Sequence, residues 1–233
     1  MKLRLTQVSE SGLMIYVSDQ IDTALPQHIT RLKDALTAQL GEVITDAIPS
    51  YTSLLLEFNP LKITTEQLIV CVNSTWDKLD QNQPTPSHTT IMLPVYYGAQ
   101  VSPDLKSVAK RHNLSTAEVV AIHSQQAYTV CAIGFAPGFA FLAAVDPRIA
   151  TPRHHTPRLK VPAGSVGIAD QQSAVYPNDS PGGWQIIGNC PHLLFDPTAD
   201  PMMPFRVGYT VKFKPIELDQ FLALGGQLCV DWQ

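Results

Sequence analysis

The chain has 233 residues, 45% of them hydrophobic and 15% charged, with a net charge of −4. That much apolar material can build a core for one large domain or two of ordinary size, and the acidic balance excludes a nucleic-acid binder that needs a basic face. No apolar run approaches the ~18–20 residues of a membrane span, the start MKLRLTQVSE lacks a secretory h-region, and four scattered cysteines suit buried, reduced thiols, so the expectation is a soluble, cytoplasmic globular protein.

Leu3–Val8 and Leu13–Val17 read as short strands joined by a turn at Ser9–Gly12. From Ile21 the apolar positions recur at Leu25, Ile29, Leu32, Leu36 and Leu40, the spacing of an amphipathic helix. Pro26 suits only its first turn, and Gly41 stops it. Glu42–Ile48 and Thr52–Phe58 are two more strands around Pro49-Ser50-Tyr51. Thr64 or Thr65 caps a second helix that places Leu68, Val72, Trp76 and Leu79 on one face. With His88–Val95 as its closing strand, this half contains the β-α-β-β-α-β series of a ferredoxin-like unit. Asn82–Ser87, with Pro84 and Pro86, is the expected linker, giving an α+β chain with domains at 1–88 and 89–233.

The second half opens with a helix expected to start at Ser102-Pro103-Asp104, Ser102 being its cap, and to run to about His112. Ser115–Glu118 is a capping box for the next helix, and Asp104 and Glu118 read as charges favoured at helix N-termini. Strands follow at Tyr128–Gly134 and Tyr209–Phe213, with a short helix at Ile216–Ala223. Between them, Gly134–Gly188 holds seven of the 13 glycines and seven of the 19 prolines, yet keeps enough apolar residues to be ordered. Short strands with frequent turn signals predict a small barrel with sharply shaped loops around a pocket or docking surface.

Several constellations in this stretch carry chemistry. Thr151-Pro152-Arg153 and Thr156-Pro157-Arg158 form a five-residue repeat with Lys160 beyond it. Guanidinium groups suit bidentate capture of carboxylate or phosphate, although solvated loop charges are the plain alternative. His123, near the end of a helix, reads as a packing residue or a proton shuttle. Phe135, Phe139, Phe141 and Trp184 form either an aromatic pocket wall or ordinary core. Ala163-Gly164-Ser165-Val166-Gly167 imitates a hydrolase nucleophile elbow, but the residues after Ser165 read as strand, not helix. Adjacent His154 and His155 point apart on an extended chain and do not make a metal site. Neither phosphate-binding glycine loop occurs.

Taken together, GFAPGFAFL, PR-x-x-TPR, VPAGSVGIA, VYP-x-x-SPGGW and IG-x-x-P, in this order, resemble the family of the prokaryotic 5-oxoprolinase B subunit, also described as the Kip inhibitor or allophanate-hydrolase subunit 1 family. The resemblance continues upstream through LPVYYGAQVSPDL and AEVVAIHS. It implies a small N-terminal ferredoxin-like α/β sandwich followed by a cyclophilin-like β-barrel. It also implies a component that acts with the A and C subunits, using ATP bound by the complex, to convert 5-oxo-L-proline to L-glutamate, and that is inactive alone. Related modules occur in the carboxyltransferase region of urea carboxylase. The alternative it implies is an inhibitor that docks on a sensor histidine kinase; a prolyl isomerase would rest on fold analogy alone. The family's shared positions fall here on His123, Gly134, Phe135, Pro137, Gly138, Phe139, Pro152, Arg153, Pro157, Arg158, Pro162, Gly164, Ser165, Tyr176, Ser180, Gly182, Trp184 and Gly188. Of these, His123, Arg153, Arg158 and Ser165 are the catalytic candidates, with Lys160 added from its place beside the repeat and the backbone N–H groups at Gly164-Ser165 as oxyanion donors. The others are candidates for substrate or partner contact, and no metal is expected. The chain departs from the pattern at Ser102 (usually Gly), at Asn189-Cys190 (usually Arg-Thr) and at Gly208-Tyr209 (usually Gly-Asp).

Overall fold

The computed structural model describes residues 2–79, 89–229 and 232. It divides into two compact units, Met1–His88 and Thr89–Gln233. The expected linker, Asn82–Ser87, lies outside the described residues.

In the first unit, β1 (Arg4–Ser9), β2 (Gly12–Tyr16), α1 (Leu25–Leu40), β3 (Ile44–Ser50), β4 (Ser53–Phe58) and α2 (Thr65–Lys78) follow one another. The helix periodicity does what it predicts: Leu25, Ile29, Leu32 and Leu36 of α1 meet Leu68, Val72 and Trp76 of α2 over Leu13, Ile15, Leu54, Leu56 and Phe58. Each such side chain contributes roughly 1.5–3 kcal/mol when fully buried. Pro26 falls at the start of α1, and Thr64 with Gln67 closes a reciprocal capping box on α2. Pro49 sits within β3, which an edge strand tolerates.

The sheet order is β1-β2-β4-β3, all antiparallel. This corrects the expected ferredoxin-like series, because among the described residues no strand after α2 joins the sheet; the N-terminal β1 lies beside β2 instead. The strand expected to close that series, β5 (Thr90–Val95), pairs in parallel with the strand Thr210–Pro215 and buries Leu93 and Val95 in the second unit.

The second unit continues with α3 (Leu105–Arg111), α4 (Thr116–Gln125), β6 (Ala127–Ile133), β7 (Ala140–Ala143), β8 (Arg158–Val161), β9 (Ser165–Ala169), β10 (Gln172–Val175), β11 (Ser180–Gly182), β12 (Gln185–Asn189), β13 (Thr210–Pro215) and α5 (Leu218–Ala223). Seven strands form one sheet in the order β12-β9-β10-β7-β6-β13-β5. Its two edges meet where Tyr96 and Asn189 exchange N–H···O bonds of 2.9 Å each, so the sheet is barrel-like and nearly closed, consistent with a cyclophilin-like fold. Gly188 permits this approach: a Cβ there would lie 2.8 Å from Val95 Cγ1 and 2.9 Å from the Tyr96 carbonyl. Tyr128, Val130, Leu142, Val166, Ile168, Ile187, Val211 and Phe213 fill the interior. β8 and β11 stand apart as a two-stranded ribbon.

Ser115 and Glu118 form the expected capping box on α4. Ser102 does not cap α3. Its hydroxyl donates to the Tyr97 and Gly98 carbonyls, and Asp104 occupies the cap position without making a side-chain capping bond.

Candidate functional site: a proline-rich ribbon and its cleft

β8 presents Arg158 and Lys160 at alternate positions of one short strand. Arg158 gives Asp104 a bidentate pair, Nη1 to Oδ2 at 2.9 Å and Nη2 to Oδ1 at 2.7 Å. The Ile186 N–H donates to the same Oδ2 at 2.7 Å, and the Asp104 N–H returns a bond to the Ile186 carbonyl. One buried carboxylate therefore ties the start of α3 to β12 and to the ribbon. His154 Nε2 comes within 3.2 Å of Oδ1 but is misaligned for a hydrogen bond. Asp104, expected to serve only as a helix-terminal charge, is the main residue that sequence reasoning missed. The proline-spaced arginines were its one available signal, since a guanidinium in a fold needs a carboxylate somewhere.

Lys160 pairs instead with Asp179 at 2.8 Å, and Asp179 also accepts the Ala163 N–H at 2.8 Å. These bonds hold the Asp179 carboxyl below its usual range and the Lys160 ammonium above its own. The pair lines a cleft of about 740 Å³, together with Pro162, Gly164, Asn189, Cys190, His192 and residues 225–229. Gly164 has φ of +79°, and a Cβ there would run into the Cys190 carbonyl. Burial pushes the Cys190 thiol up to about 11.

The remaining predicted residues separate by depth. His123 is fully buried; Nδ1 meets the Tyr97 hydroxyl at 2.9 Å, Nε2 meets Ser173 Oγ at 3.1 Å, and Phe213 stacks on its ring. Desolvation lowers its pKa to about 3, which keeps the ring neutral. Ser165 is buried on β9, its hydroxyl without a hydrogen-bond partner among the described residues. The expected oxyanion donors are already engaged, Gly164 N–H with the Tyr176 carbonyl at 2.7 Å and Ser165 N–H with the Pro162 carbonyl at 3.2 Å. Arg153, Pro152 and Pro157 are exposed. Of the predicted catalytic set, only Lys160 lines the cleft.

Phe139 and Tyr176 are buried in a small aromatic core with half-buried Phe141 and Trp184, which decides between pocket wall and core for these rings. Burial lifts the Tyr176 phenol to about 12. Phe135 differs: it is 68% exposed, has φ of +73°, and touches Phe139 edge-on. Pro137 and Gly138 complete its turn. Gly182 lies opposite Arg158 across the ribbon, and half-buried Ser180 faces Val161. Gly188 serves the barrel seam.

Residues 3–205 match the family model described as carboxyltransferase domain, subdomain C and D. The chain is 34% identical over 226 residues to the 5-oxoprolinase B subunit of Bacillus subtilis, covering 91% of this chain and 92% of that one. It is 40% identical over 163 residues to the Haemophilus influenzae protein of the same name, covering 70% and 72%. The crystal structure of TTHA0988 superposes with a TM-score of 0.77 at 32% identity, covering 88% of this chain but only 40% of that longer one. With likeness running almost end to end, the chain belongs to the carboxyltransferase subdomain C and D family, in the group of the 5-oxoprolinase B subunits.

Proposed function

We propose that this chain is the B subunit of a cytoplasmic, ATP-dependent 5-oxoprolinase complex, working with the A and C subunits to convert 5-oxo-L-proline to L-glutamate. The observation that carries this reading is the likeness, over nine-tenths of both chains, to a protein named as the B subunit of 5-oxoprolinase. Opening an unstrained lactam is uphill near neutrality unless coupled to a second reaction. In the scheme that fits, the amide oxygen takes the terminal phosphoryl group of ATP and ADP leaves. One water then adds at the ring carbon and the C–N bond opens, leaving the phosphate on the new carboxyl group, and a second water cleaves that acyl phosphate to glutamate and phosphate.

The cleft geometry supports a subunit completed by partners. Lys160 is paired with Asp179, the Cys190 thiol is protonated, and the N–H groups of residues 163–165 are bonded within the chain. Residues so engaged do not fit a triphosphate, so ATP is assigned to the partner subunits. A second reading, inhibition of a sensor histidine kinase, is favoured by exposed, positive-φ Phe135 together with Leu159, which is 81% exposed; retention of a kinase dimerisation domain on the immobilised chain tests it. The main test is reconstitution from purified subunits. Glutamate and ADP form together only when this chain and the A and C subunits are all present. Full-rate glutamate release without this chain, or by this chain alone, contradicts the proposal.

A further inference from the structure

We propose that the cleft along β8 binds the uncharged amide of its ligand, and that Asn189 sets this preference. This deepens the reading above and rests on it only for the ligand's identity as a lactam. The cleft, at about 740 Å³, is of small-molecule size. Among the described residues its one ammonium and one carboxylate, Lys160 and Asp179, cancel at 2.8 Å. Asp179 is further anchored by the Ala163 N–H, so the negative member of the pair is the fixed one. An anionic ligand has to face that carboxylate or draw Lys160 away from it.

Asn189 supplies the complementary group. It is 6% exposed, and its backbone is fixed by the two-bond bridge to Tyr96 that closes the barrel. Its Nδ2 donates to the Ala163 carbonyl at 2.9 Å, which assigns the other terminal atom as oxygen and fixes the side chain. Room for that oxygen comes from Gly164, where a Cβ would lie 2.6 Å from it. Among the described residues no donor occupies Oδ1, which leaves a preorganised acceptor on the cleft wall. Pro162, Pro177 and Pro191 line the cleft as rigid apolar surface. A small cyclic amide satisfies both, its N–H donating to Asn189 Oδ1 and its ring methylenes lying on the prolines. The carboxylate of 5-oxoproline is then held by cations of a partner subunit.

The test is a titration of the isolated chain, observed by backbone and side-chain amide NMR at pH 8. The probes are 2-pyrrolidinone, 5-oxo-L-prolinamide and 5-oxo-L-proline. The two neutral lactams shift the Asn189 side-chain and Gly164 amide signals, and 5-oxo-L-proline binds about tenfold more weakly. Asn189→Arg reverses the order. Asp179→Asn, on the exposed rim, tightens 5-oxo-L-proline about tenfold and keeps the idea testable if the first variant does not fold. Equal or tighter binding of 5-oxo-L-proline to the unaltered chain overturns the inference, as does the absence of cleft shifts with every probe. No ATP or partner is present, so a negative result here leaves reconstituted activity unaffected, and failed reconstitution leaves this binding order unaffected.

Discussion

Two cation–carboxylate pairs start from the same four-residue strand and end in different environments. Arg158 and Asp104 have side chains 16% and 6% exposed; Lys160 and Asp179 are 68% and 53% exposed. A pair buried to that degree is strongly destabilising to break, because removing one partner strands a desolvated charge. A pair in solvent contributes little, since water and salt screen it. β8 therefore divides its work. Its first cation fastens the ribbon to α3 and β12, while its third residue remains at the cleft, where a ligand can compete for it. The guanidinium that looks most like a substrate clamp in the sequence is therefore committed to the fold.

The largest effect expected from this comparison is at Asp104. Asp104→Ala should cost about 3–5 kcal/mol in urea unfolding, since it leaves Arg158 and the Ile186 N–H without their acceptor. A cost below 1 kcal/mol would show that water satisfies these groups and that the clamp is not one.

His123 sharpens the contrast between buried and exposed ionisable groups. Its folded pKa of about 3 lies below the unfolded value of about 6.5. Between those values the unfolded chain binds a proton that the folded chain does not. The stability contributed by neutral His123 is thus complete above pH ~6.5 and is lost as pH falls toward 3, at up to about 1.4 kcal/mol per pH unit. His123→Gln keeps a hydrogen-bonding side chain without the titration, so its unfolding midpoint should fall less between pH 7 and pH 4.5. Parallel pH profiles for the two proteins would contradict the neutral, buried assignment.

The smallest effect belongs to Lys160. Lys160→Ala should leave the midpoint of the same urea titration nearly unchanged, because solvent screens the pair, while altering ligand binding in the cleft. A loss as large as that of Asp104→Ala would erase the distinction between the pairs.

Local features of this molecule were legible in the sequence, and long-range ones were not. The capping box at Ser115 announces itself because both partners lie within four residues, and the cap of α2 narrows to Thr64 or Thr65 for the same reason. The apolar spacing of α1 and α2 likewise contains its own explanation. In contrast, β5 pairs in parallel with β13, 120 residues away at Thr90 and Thr210, and no local pattern distinguishes that partner from a place in the first sheet. Asp104 finds Arg158 across 54 residues, and without that pairing Ser-Pro-Asp reads as an ordinary helix start. The cleft is assembled from β8, the turn at Gly164, the end of β12 and residues 225–229. Proline and glycine density showed that the loops are shaped. It did not show which of their polar groups are already consumed by one another, as the Gly164 and Ser165 N–H groups are.

Whether one strand carries both a structural clamp and a cleft-facing pair is decided by two double-mutant cycles in urea unfolding at neutral pH. One cycle removes Asp104 and Arg158, singly and together; the other removes Lys160 and Asp179. The predicted coupling is about 2–3 kcal/mol for the first pair, and much smaller for the solvent-screened second. Equal couplings, or a larger one for Lys160 and Asp179, would contradict the account.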